Sequence, residues 1–207
     1  MITRSHEDGV SPVIGVMLMI VVTIIIAAVV SGFAANLQGT TEQPPHASIK
    51  IGITSNGGTG HDQFIVTFKH LGGDSLPTKD LRIISTYTSP SGKPYSKTLI
   101  AAQQTRGGCD FDGAGAMVRI PYLSDVITGG GPGNPASDFG NFTFKPGDLL
   151  STGNSQCTGN SDNTGTGLLP FDVTDQSIGF ERGSEVEFTI VHIPSGVEIA
   201  HEKVVVE

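Results

Sequence analysis

Nucleophilic or acid–base chemistry needs a nucleophile, a base and an orienting group in one place. Six histidines could serve as the base: His6, His46, His61, His70, His192 and His201. None lies in a G-x-S-x-G or H-E-x-x-H context, the local patterns that mark a nucleophile elbow or a zinc-binding helix. His70 opens a Leu-Gly-Gly-Asp stretch, where a structural part in a turn outweighs a catalytic one. Asp110-Phe111-Asp112-Gly113 has the opening of a calcium loop. The further oxygens and the closing Glu of an EF-hand are missing, so an Asp-Gly turn is the simpler reading. No catalytic residue, cofactor or metal ligand is expected, and the chain does not read as an enzyme.

Covalent chemistry has better candidates. Cys109 and Cys157 both sit in Gly/Asn/Ser-rich segments. Their spacing does not suit zinc, which takes close Cys or His pairs. A disulfide between them would close a loop of about 48 residues and contribute several kcal/mol in a chain-entropy treatment; the alternative is two free thiols that never meet. The pairing count and an external compartment favour the disulfide. Asn141-Phe142-Thr143 is a glycosylation sequon, which requires Asn141 at the surface. Asp8-Gly9-Val10-Ser11 places a charged and a small residue directly before a long apolar run.

That run is the element that positions everything else. Val10 to Ala35 has no charged side chain, and about 20 apolar residues in a helix cross the hydrocarbon of a bilayer. Ser11 suits an N-cap and Pro12 the first helical turn. Three readings compete. A cleaved secretory signal has a shorter apolar core and a basic flank, and Arg4-Ser5-His6-Glu7-Asp8 is not basic. A permanent anchor fits the length, but the flanking charges do not set its topology. A prepilin-type leader, cut away while the helix is kept, also accounts for the Asp-Gly junction.

The run DGVSPVIGVMLMIVVTIIIAAVVSGF closely resembles the N-terminus of archaeal type IV pilins. The resemblance implies a prepilin peptidase cut between Gly9 and Val10. It also implies helices packed into a filament core and heads facing outward. The partners it implies are further copies of this chain, the prepilin peptidase, a pilus assembly platform and, before assembly, the membrane. Three patches of the remaining chain are similar to the family too: His70-Leu71-Gly72-Gly73-Asp74-Ser75-Leu76-Pro77 with Asp80-Leu81-Arg82-Ile83, Phe144-Lys145-Pro146-Gly147-Asp148, and Val186 to Val206. The region from about Ala101 to Phe139 shows no such likeness.

Within the helix, Gly15, Ala27, Ala28 and Gly32 are the candidate packing residues, since small side chains let helices approach closely. The helix is apolar on all faces, so each face must meet lipid or another helix. A neck follows at residues 37–46, where Pro44-Pro45 stops the helix. Beyond it the chain alternates apolar and polar residues over Ala47–Ile53, Gln63–Lys69, Leu81–Tyr87, Tyr95–Ala101, Glu185–His192 and Val197–Val206, with turn residues between. Gln103–Asp138 and Ser151–Gly167 read as long surface loops. The fold class is α+β: one N-terminal hydrophobic helix, then an all-β antiparallel, sandwich-like head. The division is a leader at 1–9, the helix at 10–36, the neck at 37–46 and the head, with long Gly-rich loops, at 47–207.

Composition agrees. Glycine supplies 28 of 207 residues, about twice the usual share of about 7%, which favours turns and loops. With 12 basic against 20 acidic residues the chain is a poor partner for nucleic acid, whose phosphates need Lys and Arg. The expected function is a structural pilin subunit. It would be stored in the membrane by a single N-terminal helix and polymerised into an extracellular filament for surface adhesion. The alternatives are a membrane-anchored extracytoplasmic β domain that binds a ligand without polymerising, and an archaellin-like filament subunit, whose usual N-terminus looks different.

Overall fold

Pro12 opens α1 (Pro12–Leu37). Its missing N–H costs nothing in the first turn. Val and Ile are mediocre helix formers in water, but in hydrocarbon a helix is the way to pair every backbone group within one segment. Thr23 fits the same rule: its hydroxyl donates to the Ile20 carbonyl at 2.8 Å. The computed structural model describes residues 12–37, 43–55, 64–104, 118–124, 131, 133–153, 167–173 and 175–207. It divides into two compact units, one up to Glu42 and one from Gln43 to Glu207.

The second unit contributes, in chain order, β1 (Ala47–Ser55), β2 (Phe64–Gly73), β3 (Leu76–Pro77), β4 (Leu81–Thr88), β5 (Pro94–Ile100), β6 (Tyr122–Leu123), β7 (Thr143–Phe144), β8 (Leu149–Ser151), β9 (Glu185–His192) and β10 (Val197–Val205). Two four-stranded sheets result, ordered β1-β2-β8-β6 and β10-β9-β4-β5, with β3 and β7 as a small third pair. The strand pairs within these sheets are antiparallel.

The period-2 pattern decides which faces meet. Ile49, Ile51 and Ile53 from β1 are buried, as are Phe64, Val66 and Phe68 from β2. Leu81, Ile83 and Tyr87 from β4 and Val186, Phe188 and Ile190 from β9 are buried opposite them. Phe68 meets Phe188 edge to face at 5.8 Å. Each such side chain contributes roughly 1.5–3 kcal/mol on burial. An aromatic group fills a further part of the core: Phe180 lies 4.8 Å from Phe64, 5.5 Å from Tyr87 and 5.1 Å from Phe171. The Tyr87 hydroxyl donates to the Gly179 carbonyl at 2.9 Å, so the buried ring leaves no polar group unpaired.

One edge of the sandwich is closed by backbone. Ile53 bridges Val206 in parallel. Ser55 N–H donates to the Glu207 carbonyl at 2.7 Å and Glu207 N–H to that of Ile53 at 3.0 Å. Ile51 N–H is capped by Glu202 Oε2 at 2.8 Å.

The reading of Gln103–Asp138 as surface loop needs correction. Val118, Ile120 and Tyr122 are buried, and Tyr122–Leu123 pairs with β8. The Gln104 side-chain amide clamps Ile120 from both sides, donating to its carbonyl at 2.7 Å and accepting from its N–H at 2.9 Å. Val-Arg-Ile-Pro-Tyr alternates like a strand, but Gly-rich flanks hide so short a period. Ser151–Gly167 likewise begins inside the core: Ser151 belongs to β8, and buried Thr152 accepts from Val66 N–H at 3.0 Å.

One buried cation sits awkwardly in this frame. Lys97 on β5 has its Nζ shielded from solvent, with no hydrogen-bond partner among the described residues. Burial pulls its pKa from 10.5 down to about 8. The unfolded chain therefore holds the proton more tightly, and the penalty is fully present below pH 8. Lys97→Met is expected to stabilise the head at pH 7 by roughly 1 kcal/mol. That gain should shrink as pH rises from about 8 towards 10.5. Paired denaturant titrations of the two proteins across that range check it.

Candidate functional site

Two features are candidates for a functional surface: the helix, and the part of the head around His46 where the chain enters β1. The helix has no protected side. Fifteen large apolar side chains between Val13 and Phe33 are each 48–72% exposed. The 23 residues Pro12–Ala34 are long and apolar enough to cross a membrane. A Cβ added at Gly15 or Gly32 would meet nothing within 4 Å. The four small residues do not form one stripe. Ala28 and Gly32 are one turn apart on one face, whereas Gly15 and Ala27 point elsewhere, roughly 100–140° around from that pair. Close approach is thus available on more than one side.

The part of the head around His46 is a clasp made from two of the patches singled out in the sequence. In the first, the end of β2 at Gly72–Gly73 and the Asp74 that follows it grip the incoming chain at His46. His46 N–H donates to Asp74 Oδ2 at 2.9 Å, and Asp74 N–H donates to the His46 carbonyl at 2.7 Å. Gly73 has φ 106°, and a Cβ there would collide with the His46 carbonyl oxygen. Gly73→Ala should therefore strain the backbone and open the clasp together, lowering head stability by about 2–4 kcal/mol, as read by chemical unfolding.

The second patch holds the first from behind. His70 is buried. Its N–H donates to the Asp148 carbonyl at 3.0 Å and its carbonyl accepts from Gly147 N–H at 2.9 Å. Its ring contacts the Asp74 carbonyl through Nε2 at 2.9 Å and meets Phe144 edge to face at 4.9 Å. The Asp148 carboxylate in turn accepts from Lys145 N–H at 2.8 Å. His70 is a structural residue of this clasp.

The other histidines are dispersed. His192 is buried, with Nδ1 2.9 Å from the Ser195 hydroxyl. That hydroxyl also accepts from Val197 N–H at 3.4 Å, which makes it a turn cap. His201 pairs with Glu187 at 2.8 Å on the surface. Among the described residues no group of three or more His, Cys, Asp or Glu is placed to hold a metal ion. Asn141 is exposed. Its amide donates to the Pro135 carbonyl at 2.7 Å and carries a second hydrogen for other use. Gly9, Val10, Cys109, Cys157, Asp110 and Asp112 lie outside the described residues.

Comparison with known proteins bears on the helix and the segments either side of it. Residues 8–49 match the family described as archaeal type IV pilin, N-terminal. The matched pilin segment runs from Asp8 through α1 to Ile49 in β1, so it takes in the Asp-Gly junction, the helix and the first three residues of β1. A protein of Archaeoglobus fulgidus, described as uncharacterized, is 34% identical over 107 residues, which is 51% of this chain and 65% of that relative. The pilin match and the apolar helix support a pilin-like subunit with a membrane-anchoring N-terminus.

Proposed function

We propose that this chain is a structural pilin. A prepilin peptidase removes residues 1–9 by cutting between Gly9 and Val10. The helix stores the subunit in the membrane, and an assembly platform polymerises it into an extracellular filament for surface adhesion. The Cys109–Cys157 disulfide and a glycan on Asn141 belong to the same proposal, as features of a head that works outside the cell. The observation that carries the reading is the helix exposed on every side within a segment matching pilins. Fifteen side chains at roughly 1.5–3 kcal/mol each amount to tens of kcal/mol that water opposes. A subunit leaving the bilayer can recover that only by packing its helix against identical helices. Heads with an acidic excess repel one another weakly and stay in water.

The test compares the full chain with the head alone, Gln43 to Glu207. The full chain should be recovered in sheared surface filaments by electron microscopy. The head alone should be folded and monomeric in sedimentation. Filaments built by the head alone would remove the helix from its assigned part. A full chain that stays in the membrane as single copies would favour an anchored binding domain instead.

A further inference from the structure

The two four-stranded sheets end in β1 and β6, and in β10 and β5. β1 and β10 meet each other through the Ile53–Val206 bridge, the Glu207 hydrogen bonds and the Glu202 cap on Ile51 N–H. β6 is two residues long. β5 has seven residues and lies beside β4. Among the described residues, no backbone hydrogen bond outside the β4 ladder reaches residues 94–100. The sequence of this open edge, Pro-Tyr-Ser-Lys-Thr-Leu-Ile, is rich in strand formers and carries one charge. Such an edge is a template for a further strand. Its one charge points the wrong way for a surface lysine. Tyr95 meets the buried ring of Phe171 at 5.7 Å and Leu99 is buried, so Lys97 between them shares the inward face of β5. Its Nζ is shielded and has no hydrogen-bond partner among the described residues. Ser85, directly across in β4, uses its hydroxyl on the Leu168 carbonyl at 2.8 Å. The pKa lowered to about 8 reflects the same desolvation. Within the head this arrangement costs stability and makes no polar contact in return among the described residues.

We propose that Lys97 keeps the open edge of β5 from pairing with β5 of a second copy. The possible registers carry the argument. An antiparallel pair that keeps Tyr95, Lys97 and Leu99 inward sets Lys97 against Lys97, Tyr95 or Leu99. The first register opposes two like charges across the ladder. The other two lay an apolar residue beside an ammonium that is already partly desolvated. β5 contains no acidic residue, so none of these pairings supplies a counter-charge, and each would bury an unpaired cation in both copies. An inward-pointing charge on an edge strand blocks edge-to-edge pairing in this way. The partner excluded is this chain itself, because subunits held together by their apolar helices bring identical edges to a high effective concentration. The inference stands without the assembly reading, since subunits anchored in one membrane are crowded in the same way.

The test uses the full chain in detergent micelles, as a mixture of isotopically heavy and light copies with benzoylphenylalanine at position 96, an exposed site on β5. After irradiation, mixed heavy–light peptides joining position 96 to residues 94–100 of another copy are counted by mass spectrometry. The unsubstituted chain and Lys97→Arg, which keeps the charge, should give only background. Lys97→Met, which removes the charge and keeps the length, should raise these peptides roughly tenfold or more, increasingly with protein concentration. Its head should unfold no earlier than that of the unsubstituted chain. Abundant β5–β5 peptides from the unsubstituted chain would overturn the inference, as would none from Lys97→Met or equal yields from Lys97→Met and Lys97→Arg. A Lys97→Met head that no longer folds would overturn it too, because the lysine would then be needed by the head itself.

Discussion

Ile25→Asp is expected to abolish filaments while leaving the head folded. Ile25 is in the middle of α1 and is 56% exposed in a single copy, so any partner helix or lipid tail meets it directly. A carboxylate there would be buried without a counter-charge in every subunit, at several kcal/mol each. Repetition along a polymer leaves no register that avoids it. Placing aspartate at a helix centre also disfavours membrane insertion by about 2.5–3.5 kcal/mol, so filament yield is to be normalised to the amount of subunit in the membrane. Thr98→Asp, on an exposed position of β5, adds the same charge to the head and should leave yield near wild type. Wild-type filaments from Ile25→Asp at equal membrane levels would mean that the helix is not the assembly core.

The parts of this fold legible from sequence are those held by local pattern. Ile49-Ile51-Ile53, Phe64-Val66-Phe68 and Val186-Phe188-Ile190 alternate cleanly, and each became a strand with those residues inside. Long uninterrupted apolarity likewise marked α1. What escaped depends on contacts far apart in the chain. The 118–124 segment is core because Gln104 and β8 pair with it, and neither partner is visible in its own composition. The Gly-Gly-Asp stretch was noticed only through its likeness to a family. Its physical task comes from His46, 28 residues earlier. Leu71 and Ile199 are left unmatched where β1–β2 and β9–β10 shift register. Ile199 looked like an ordinary strand position and Leu71 like part of a turn, since a bulge is a property of pairing and leaves no mark in either strand alone. The small residues of α1 could be found by type, but their spread over several faces emerges only from counting turns.

Gly9→Trp is expected to halt maturation completely. A peptidase that cuts between Gly9 and Val10 must fit the residue before the bond into a confined site. Glycine offers no side chain there and tryptophan offers the largest. The unsubstituted chain should yield a mature protein beginning at Val10 with its helix intact, and Gly9→Trp a membrane-bound precursor beginning at Met1. N-terminal sequencing and intact mass distinguish the two. Gly9→Ala should still be cut, because the requirement is small size and not backbone freedom. The uncut precursor should also fail to assemble. It keeps Arg4, Glu7 and Asp8 at the end of a helix that would otherwise enter an apolar core, and each charge would have to be desolvated or paired there. A mature terminus at Ala35 or Asn36 would instead identify a secretory signal. The helix would then be discarded before any filament could form, and the case for a pilin would fall.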